Sequence, residues 1–109
     1  MNSGATEDEL PQLHGAVVTT EQVQELIEDW IEHTDLLDVT IRPLSGLSTV
    51  VDLSPGSPER RLVLSELVQH LSDQRLKGIR VAYRFDQSEW IDTLSIQDQQ
   101  IRLLRIRLP

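Results

Sequence analysis

The sequence contains no cysteine, and it has only one lysine and four aromatic residues. The absence of cysteine excludes disulfide bonds, thiolate metal sites and thiol nucleophiles. No apolar run approaches the ~20 residues that span a bilayer, and the first residues lack the basic start and apolar run of a signal peptide. These absences predict a cytoplasmic protein that does not insert into membranes.

Recognisable catalytic and cofactor-binding motifs are also absent. No serine lies in a GxSxG or SxxK context, and the glycines stand alone rather than in a phosphate-binding loop. His14, His33 and His70 have no second histidine or cysteine at metal-ligand spacing. We therefore expect no metal, no cofactor and no enzymatic activity.

Length and composition predict one folded domain. The 109 residues are 39% hydrophobic and 26% charged, which is close to the ordinary globular mixture. Residues 1–15 are polar and acidic with few apolar anchors, so we expect a flexible N-terminal tail there. A single domain is expected over residues 16–109.

The strongest local signal is an N-terminal helix. Thr19 and Gln22 have the spacing of a capping box, in which each side chain binds the backbone N–H of the other residue. Apolar residues then recur at helical spacing and form one stripe, which consists of Val23, Leu26, Ile27, Trp30 and Ile31. The pattern predicts an amphipathic helix that ends near His33.

A hairpin is predicted next. Apolar and polar residues alternate over 37–42, and Pro43 ends this strand. Residues 49–53 return as a second strand after a loop of four or five residues.

A second helix is predicted from Pro58 to about Leu76. Ser57 can cap its start, and proline suits the first helical position because its missing N–H would be unpaired there in any case. Gly78 supplies the expected C-terminal stop.

The last third predicts three strands in a meander, over residues 79–85, 90–96 and 101–108. Leu103 and Leu104 are adjacent, so the alternation breaks within the last strand. We expect either a bulge at this point or a strand with apolar residues on both faces.

The order of elements is therefore α-β-β-α-β-β-β. The simplest layering that buries both helical stripes is an α+β fold, with two helices on one face of a mainly antiparallel sheet of about five strands.

Charge is distributed unevenly along the chain. Residues 1–53 contain eleven acids and one base, whereas residues 54–109 contain seven acids and nine bases. The first helix carries four acidic candidates for partner binding, Glu25, Glu28, Asp29 and Glu32. At helical spacing these carboxylates share an exposed face and repel each other mildly, so they are not expected to act as a catalytic pair.

Arginines in the last third form a second candidate surface. Arg80 and Arg84 share the outward face of one strand, and Arg105 and Arg107 share one face of the last strand. If both pairs lie on the face away from the helices, the protein has an acidic helical side and a basic sheet side. The alternative is a solvated face whose arginines only oppose aggregation.

Asp92 lies between Trp90 and Leu94 with the same strand parity. It is therefore expected to be partly buried and paired with an arginine of the last strand. We expect such an ion pair to stabilise the fold rather than to take part in catalysis.

The leading hypothesis is a non-enzymatic protein-interaction domain, such as an adaptor, an assembly factor or a chaperone, with an unidentified protein partner. In general character a small acidic α+β chain resembles secretion-type chaperones, but the C-terminal helix expected of them is missing from this pattern. The alternative is weak nucleic-acid binding through the arginine face, which the net charge of −8 opposes. A third hypothesis is an enzyme with Asp92 in a pocket.

Self-association is a further expectation. The last strand has apolar residues on both faces and is expected near a sheet edge, where it could pair with its counterpart in a homodimer.

Overall fold

A computed structural model describes residues 13–51 and 59–109. These residues form six strands and two helices: β1 (Leu13–Val18), α1 (Thr20–His33), β2 (Asp35–Pro43), β3 (Thr49–Val51), α2 (Arg60–Ser72), β4 (Leu76–Phe85), β5 (Ser88–Gln97) and β6 (Gln100–Arg107). Both helices pack against one antiparallel sheet, which confirms the predicted α+β class. No helix within these residues is long and apolar enough to cross a membrane.

The sheet has the strand order β1-β6-β5-β4-β2-β3, and every neighbouring pair is antiparallel. It has six strands rather than about five because β1 pairs with β6. Residues 13–15 of the expected N-terminal tail thus belong to a strand, and residues 1–12 lie outside the described part of the chain.

The last strand lies near a sheet edge, as expected, but it is not the edge strand itself. β6 has β5 on one side and β1 on the other, so its backbone hydrogen-bonding groups already have partners along most of its length. A homodimer formed by pairing two copies of this strand would have to displace β1.

The first helix forms as its capping box predicts. The Gln22 backbone N–H donates to the Thr19 hydroxyl at 3.1 Å, and the Thr19 backbone N–H donates to the Gln22 side-chain oxygen at 2.8 Å. Val23, Ile27 and Trp30 are buried on the side that faces the sheet. Capping and amphipathic burial therefore agree at this helix.

The second helix is shorter than predicted, since it spans Arg60–Ser72, and the expected start at Ser57 and Pro58 falls outside the described residues. Gln74 adopts a left-handed conformation with φ 60°. Its N–H binds the Leu71 carbonyl at 3.0 Å, and the Arg75 N–H binds the His70 carbonyl at 2.8 Å. This is a Schellman motif with glutamine in the usual glycine position.

Gly78 therefore ends no helix and lies inside β4. A Cβ atom at this position would lie 3.0 Å from the Leu94 carbonyl oxygen on the neighbouring strand. The glycine permits this close approach between the backbones of β4 and β5.

The predicted hairpin of β2 and β3 is present, with a five-residue loop over 44–48, and residues 52–53 of its predicted second strand lie outside the described residues. The predicted meander of β4, β5 and β6 is also present. Its two turns are the dipeptides Asp86-Gln87 and Asp98-Gln99, in which both residues have positive φ as in type I′ turns.

Leu103 and Leu104 settle which alternative holds in the last strand. The β5–β6 register continues without a shift, Leu103 is buried in the core, and Leu104 is 39% exposed on the opposite face. The strand therefore carries apolar residues on both faces. A bulge occurs instead on β1, where Gly15 is the extra residue between two residues paired with Leu104 and Leu103.

Candidate docking surface

We call the sheet face that carries the helices the inner face and the opposite one the outer face. On the inner face, Asp92 is completely buried and accepts four hydrogen bonds. Arg105 donates to its two oxygens from Nε and Nη2, both at 2.8 Å. The Trp30 Nε1–H donates at 2.9 Å and the Tyr83 hydroxyl at 3.0 Å. The predicted pairing of Asp92 with an arginine of the last strand is confirmed.

Burial and the carboxylate of Asp92 set the protonation of its two ionisable neighbours. Burial, followed by the charge of Asp92, raises the pKa of the Tyr83 hydroxyl above its ordinary value of 10.0. Burial alone would lower the pKa of Arg105, but its hydrogen bonds to Asp92 and the charge of that carboxylate outweigh burial and raise it. Arg105 is therefore a fixed cation and Tyr83 a neutral donor.

This network favours a structural role for Asp92. Its two oxygens are saturated by four donors, so no lone pair is left to abstract a proton from a ligand. The geometry therefore favours an ion-pair role for Asp92 over that of a general base.

The four arginines considered from sequence do not form one surface. Arg80 and Arg84 lie exposed on the outer face, but the register places Arg105 opposite Asp92 and Arg107 opposite Trp90 on the inner face. The condition for a basic sheet side, that both arginine pairs lie on the face away from the helices, is thus not met. The pairing of β6 with β5 has no register shift. Arg105 therefore points to the same face of the sheet as Leu103, which is buried in the core.

A different set of cations gathers on the outer face. Two adjoining concavities of about 380 Å³ and about 440 Å³ share Thr93 and Ser95 at their centre, and we call them together the trough. Four basic residues line the trough: Arg42, Lys77, Arg80 and Arg102. Four hydroxyl side chains line it as well: Thr40, Ser48, Thr93 and Ser95.

No carboxylate from the described residues lines the trough. Within that part of the chain, Arg42, Lys77 and Arg80 form no ion pair. Arg102 donates to the Gly15 carbonyl at 3.1 Å, yet its Nε–H is buried without an acceptor among the same residues. The trough therefore holds positive charge and hydrogen-bond donors that the described fold does not satisfy.

Sequence reasoning missed Arg42, Lys77 and Arg102 as site residues. Arg42 alternates with Ile41 in a period-2 strand, and Arg102 follows Ile101 in the same way, so an outward direction could be predicted for both. Their proximity could not, because it depends on β2, β4, β5, β6 and β1 lying side by side in that order.

The outer face beyond the trough has mixed charge. Arg84 lies 3.7 Å from Glu89, and the register sets Asp35 opposite Arg84 on β2. Asp38 is exposed on the same strand. Arg84 thus belongs to a charge-balanced region rather than to the trough.

The acidic face of α1 is partly neutralised. Arg61 of α2 binds Glu28 through Nε at 2.5 Å and Glu32 through Nη2 at 2.7 Å. Hydrogen bonding to Glu28 and then to Glu32 raises the pKa of Arg61. Glu25 and Asp29 are exposed on the same helix. Two of the four acidic candidates therefore serve the contact between the helices.

The outer face lacks the aromatic side chains that stack on nucleic-acid bases. Trp30, Tyr83 and Trp90 are buried in the core, and Phe85 packs against them. Among the described residues, no group of three or more histidine, aspartate or glutamate side chains could hold a metal ion.

Comparison with protein-family models, curated proteins and solved structures finds no match to this chain. No relative's function can therefore be transferred to it.

Proposed function

We propose that this chain is a non-enzymatic protein-interaction domain that docks an acidic segment of a protein partner in the trough. The observation that carries the proposal is the set of cations there, Arg42, Lys77, Arg80 and Arg102, which have no carboxylate beside them among the described residues. An adaptor, an assembly factor or a chaperone would each use such a surface. The cysteine-free composition supports a cytoplasmic location.

Local charge favours an acidic ligand even though the chain carries a net charge of −8. Basic side chains that line a concavity focus a positive potential inside it, whatever the charge of the rest of the surface. The negative remainder repels a uniformly acidic macromolecule, so the attraction of an acidic segment is confined to the trough. Charge therefore contributes specificity as well as attraction.

The chemistry of arginine suits this role. Its planar guanidinium donates two parallel hydrogen bonds to one carboxylate, and arginine is enriched at protein interfaces. Arg42 and Arg80 are both exposed in the trough and form no ion pair among the described residues, so each can offer such a pair of donors.

Nucleic acid is the second candidate for this cationic surface. Two observations disfavour it: the net charge of −8, and the inward position of all four aromatic side chains. Single-strand binders combine a basic groove with exposed stacking rings, and only the first of these is present in the described residues.

The test compares two variants with the same change of charge. Arg42→Glu with Arg80→Glu reverses two cations of the trough, whereas Arg75→Glu with Arg107→Glu reverses two exposed cations outside it. Titration of a labelled oligoglutamate peptide, followed by fluorescence anisotropy, should show binding to the wild type and to the second variant but not to the first. Thermal melting checks that both variants are folded.

Three outcomes would contradict the proposal. Oligoglutamate could fail to bind the wild type at low salt, or both variants could lose binding equally. Tighter binding of single-stranded DNA than of oligoglutamate would favour the nucleic-acid alternative. Sedimentation at micromolar concentration measures the oligomeric state. A mass of 12.4 kDa would show a monomer and exclude a second copy of the chain as the source of the acidic segment.

A further inference from the structure

We propose that the part of the trough around Arg42, Gly78 and Arg80 binds a phosphoryl group, so that the acidic segment is recognised in a phosphorylated form. This inference depends on the function proposed above and adds the chemical identity of the group that is bound. It concerns one end of the trough, the concavity of about 380 Å³ between β2, β4 and β5.

The strand register brings the two arginines together. Arg42 pairs with Gly78 across β2 and β4, and Thr40 pairs with Arg80 two residues further along. Arg42 and Arg80 are therefore diagonal neighbours on one face of an antiparallel pair, about 7–8 Å apart and within reach of a common group for side chains of this length.

Gly78 leaves the space between them open. It contributes no side chain opposite Arg42, and its other neighbour in the ladder is the small residue Ser95. The backbone of Gly78 is therefore flanked on the outer face by Arg42, Arg80 and the hydroxyl of Ser95. Lys77, the only lysine of the chain, lines the same concavity.

The number of cations favours a dianion over a carboxylate. Arg42, Lys77 and Arg80 line one concavity and form no ion pair within the described residues, so their charges repel one another. A carboxylate carries one negative charge and is satisfied by a single arginine. A phosphoryl group carries about −1.5 to −2 charges and three acceptor oxygens, which matches three cations.

Hydroxyl groups complete the match. Thr40, Ser48, Thr93 and Ser95 line the concavity with the basic residues, and each hydroxyl can donate one hydrogen bond. Arginine clusters are the common solution for recognising phosphorylated motifs in proteins. The chemistry of this end of the trough is thus that of a phosphoryl site.

The experiment uses three labelled acidic peptides that differ at one central position, occupied by serine, glutamate or phosphoserine. We expect the phosphoserine peptide to bind the wild type about tenfold more tightly than the glutamate peptide, since its extra charge and oxygen engage a second arginine. Arg42→Ala and Arg80→Ala should each abolish this preference and retain weak binding of the glutamate peptide. Arg75→Ala, outside the trough, should preserve the preference.

Acidity provides a second readout. The second pKa of a phosphoryl group is about 6, so the preference for phosphoserine should shrink as pH falls from about 7.5 to about 5.5. A glutamate peptide should lose little affinity over this interval because its carboxylates remain ionised.

The outcomes separate the two proposals. Equal binding of the glutamate and phosphoserine peptides would overturn the phosphoryl site and leave the docking function in place. No binding of either peptide would overturn both proposals. Tighter binding of single-stranded DNA than of the phosphoserine peptide would also overturn the inference, because the trough would then select a phosphodiester backbone.

Discussion

Asp92 and Arg105 lie opposite each other on β5 and β6 and are joined by two hydrogen bonds of 2.8 Å on the inner face of the sheet. The same carboxylate accepts hydrogen bonds from Trp30 of α1 and Tyr83 of β4. One buried acid therefore connects a helix and three adjacent strands. Removing its charge should affect the packing of all four elements.

Asp92→Asn should lower the free energy of unfolding by about 3–5 kcal/mol, because it leaves the charge of Arg105 without a partner in a mostly buried site. The Arg105 side chain is only 12% exposed, so solvent cannot replace the lost carboxylate. Urea denaturation followed by tryptophan fluorescence measures the loss. As a control, Glu28→Gln removes one exposed partner of Arg61 and should cost far less. Similar losses for the two variants would show that burial does not determine the strength of the Asp92 pair.

Tyr83 should remain protonated in the folded protein at pH values where a free tyrosine ionises. A group whose pKa is raised by folding contributes stability that is fully present below its ordinary value of 10.0 and is lost as pH rises through the folded value. The free energy of unfolding should therefore fall above about pH 10. Tyr83 is the only tyrosine, so tyrosinate absorbance reports it directly. An ionisation midpoint near 10 while the circular dichroism is still native would contradict this prediction. In Tyr83→Phe, the free energy of unfolding should fall less above about pH 10 than it does in the wild type.

Gly15→Ala should destabilise the β1–β6 pair by about 1–2 kcal/mol, because Gly15 has φ +82° at the bulge and a side chain is disfavoured in that conformation. A Cβ atom there meets nothing within 4 Å, so the cost comes from the backbone alone. Thermal or urea denaturation provides the measurement. Asparagine tolerates left-handed conformations, and Gly15→Asn should therefore cost less than Gly15→Ala. The reverse order would mean that crowding rather than conformation limits this position.

Thr19→Ala should reduce stability by about 1 kcal/mol, since it removes the acceptor for the Gln22 backbone N–H at the start of α1. Thr20→Ala is a matched control, because Thr20 is an exposed residue of the first helical turn outside the capping box. Equal effects of the two substitutions on the urea midpoint would show that the capping box contributes nothing beyond helix propensity.

Local patterns predict most of the fold. The capping box and apolar stripe define α1, and the alternating residues of β4 and β5 define the meander, because both signals depend on neighbouring residues alone. Two features of the fold were not predicted: the strand β1 and the position at which α2 ends. The sequence LHGAVV of β1 is short, and the bulge at Gly15 interrupts its alternation. The sequence also predicts too late an end for α2, because Gln74, and not a glycine, adopts the left-handed conformation there.

The candidate site was less predictable than the fold. The parity of Asp92 between Trp90 and Leu94 was enough to predict burial and an arginine partner. The trough was not predictable, because its arginines come from β2, β4 and β6 and meet only in one strand order. The face of Arg105 could not be predicted, because adjacent Leu103 and Leu104 leave two registers open and only the packed sheet selects between them.

The pairing of β1 with β6 brings the two ends of the domain together. Leu13, where β1 begins, pairs with Arg105 near the end of β6, and Arg102 reaches the Gly15 carbonyl across 87 positions of sequence. A short linker could therefore join these ends, and new termini could be opened in the 44–48 loop without breaking any strand pair. Such a circular permutant would make β1 and β6 sequence neighbours and turn the most distant strand pairing of the sheet into a local one. The same cut would make β2 and β3, now a hairpin, the most distant pair along the permuted chain, so its folding rate should change less than the β1–β6 pairing alone implies.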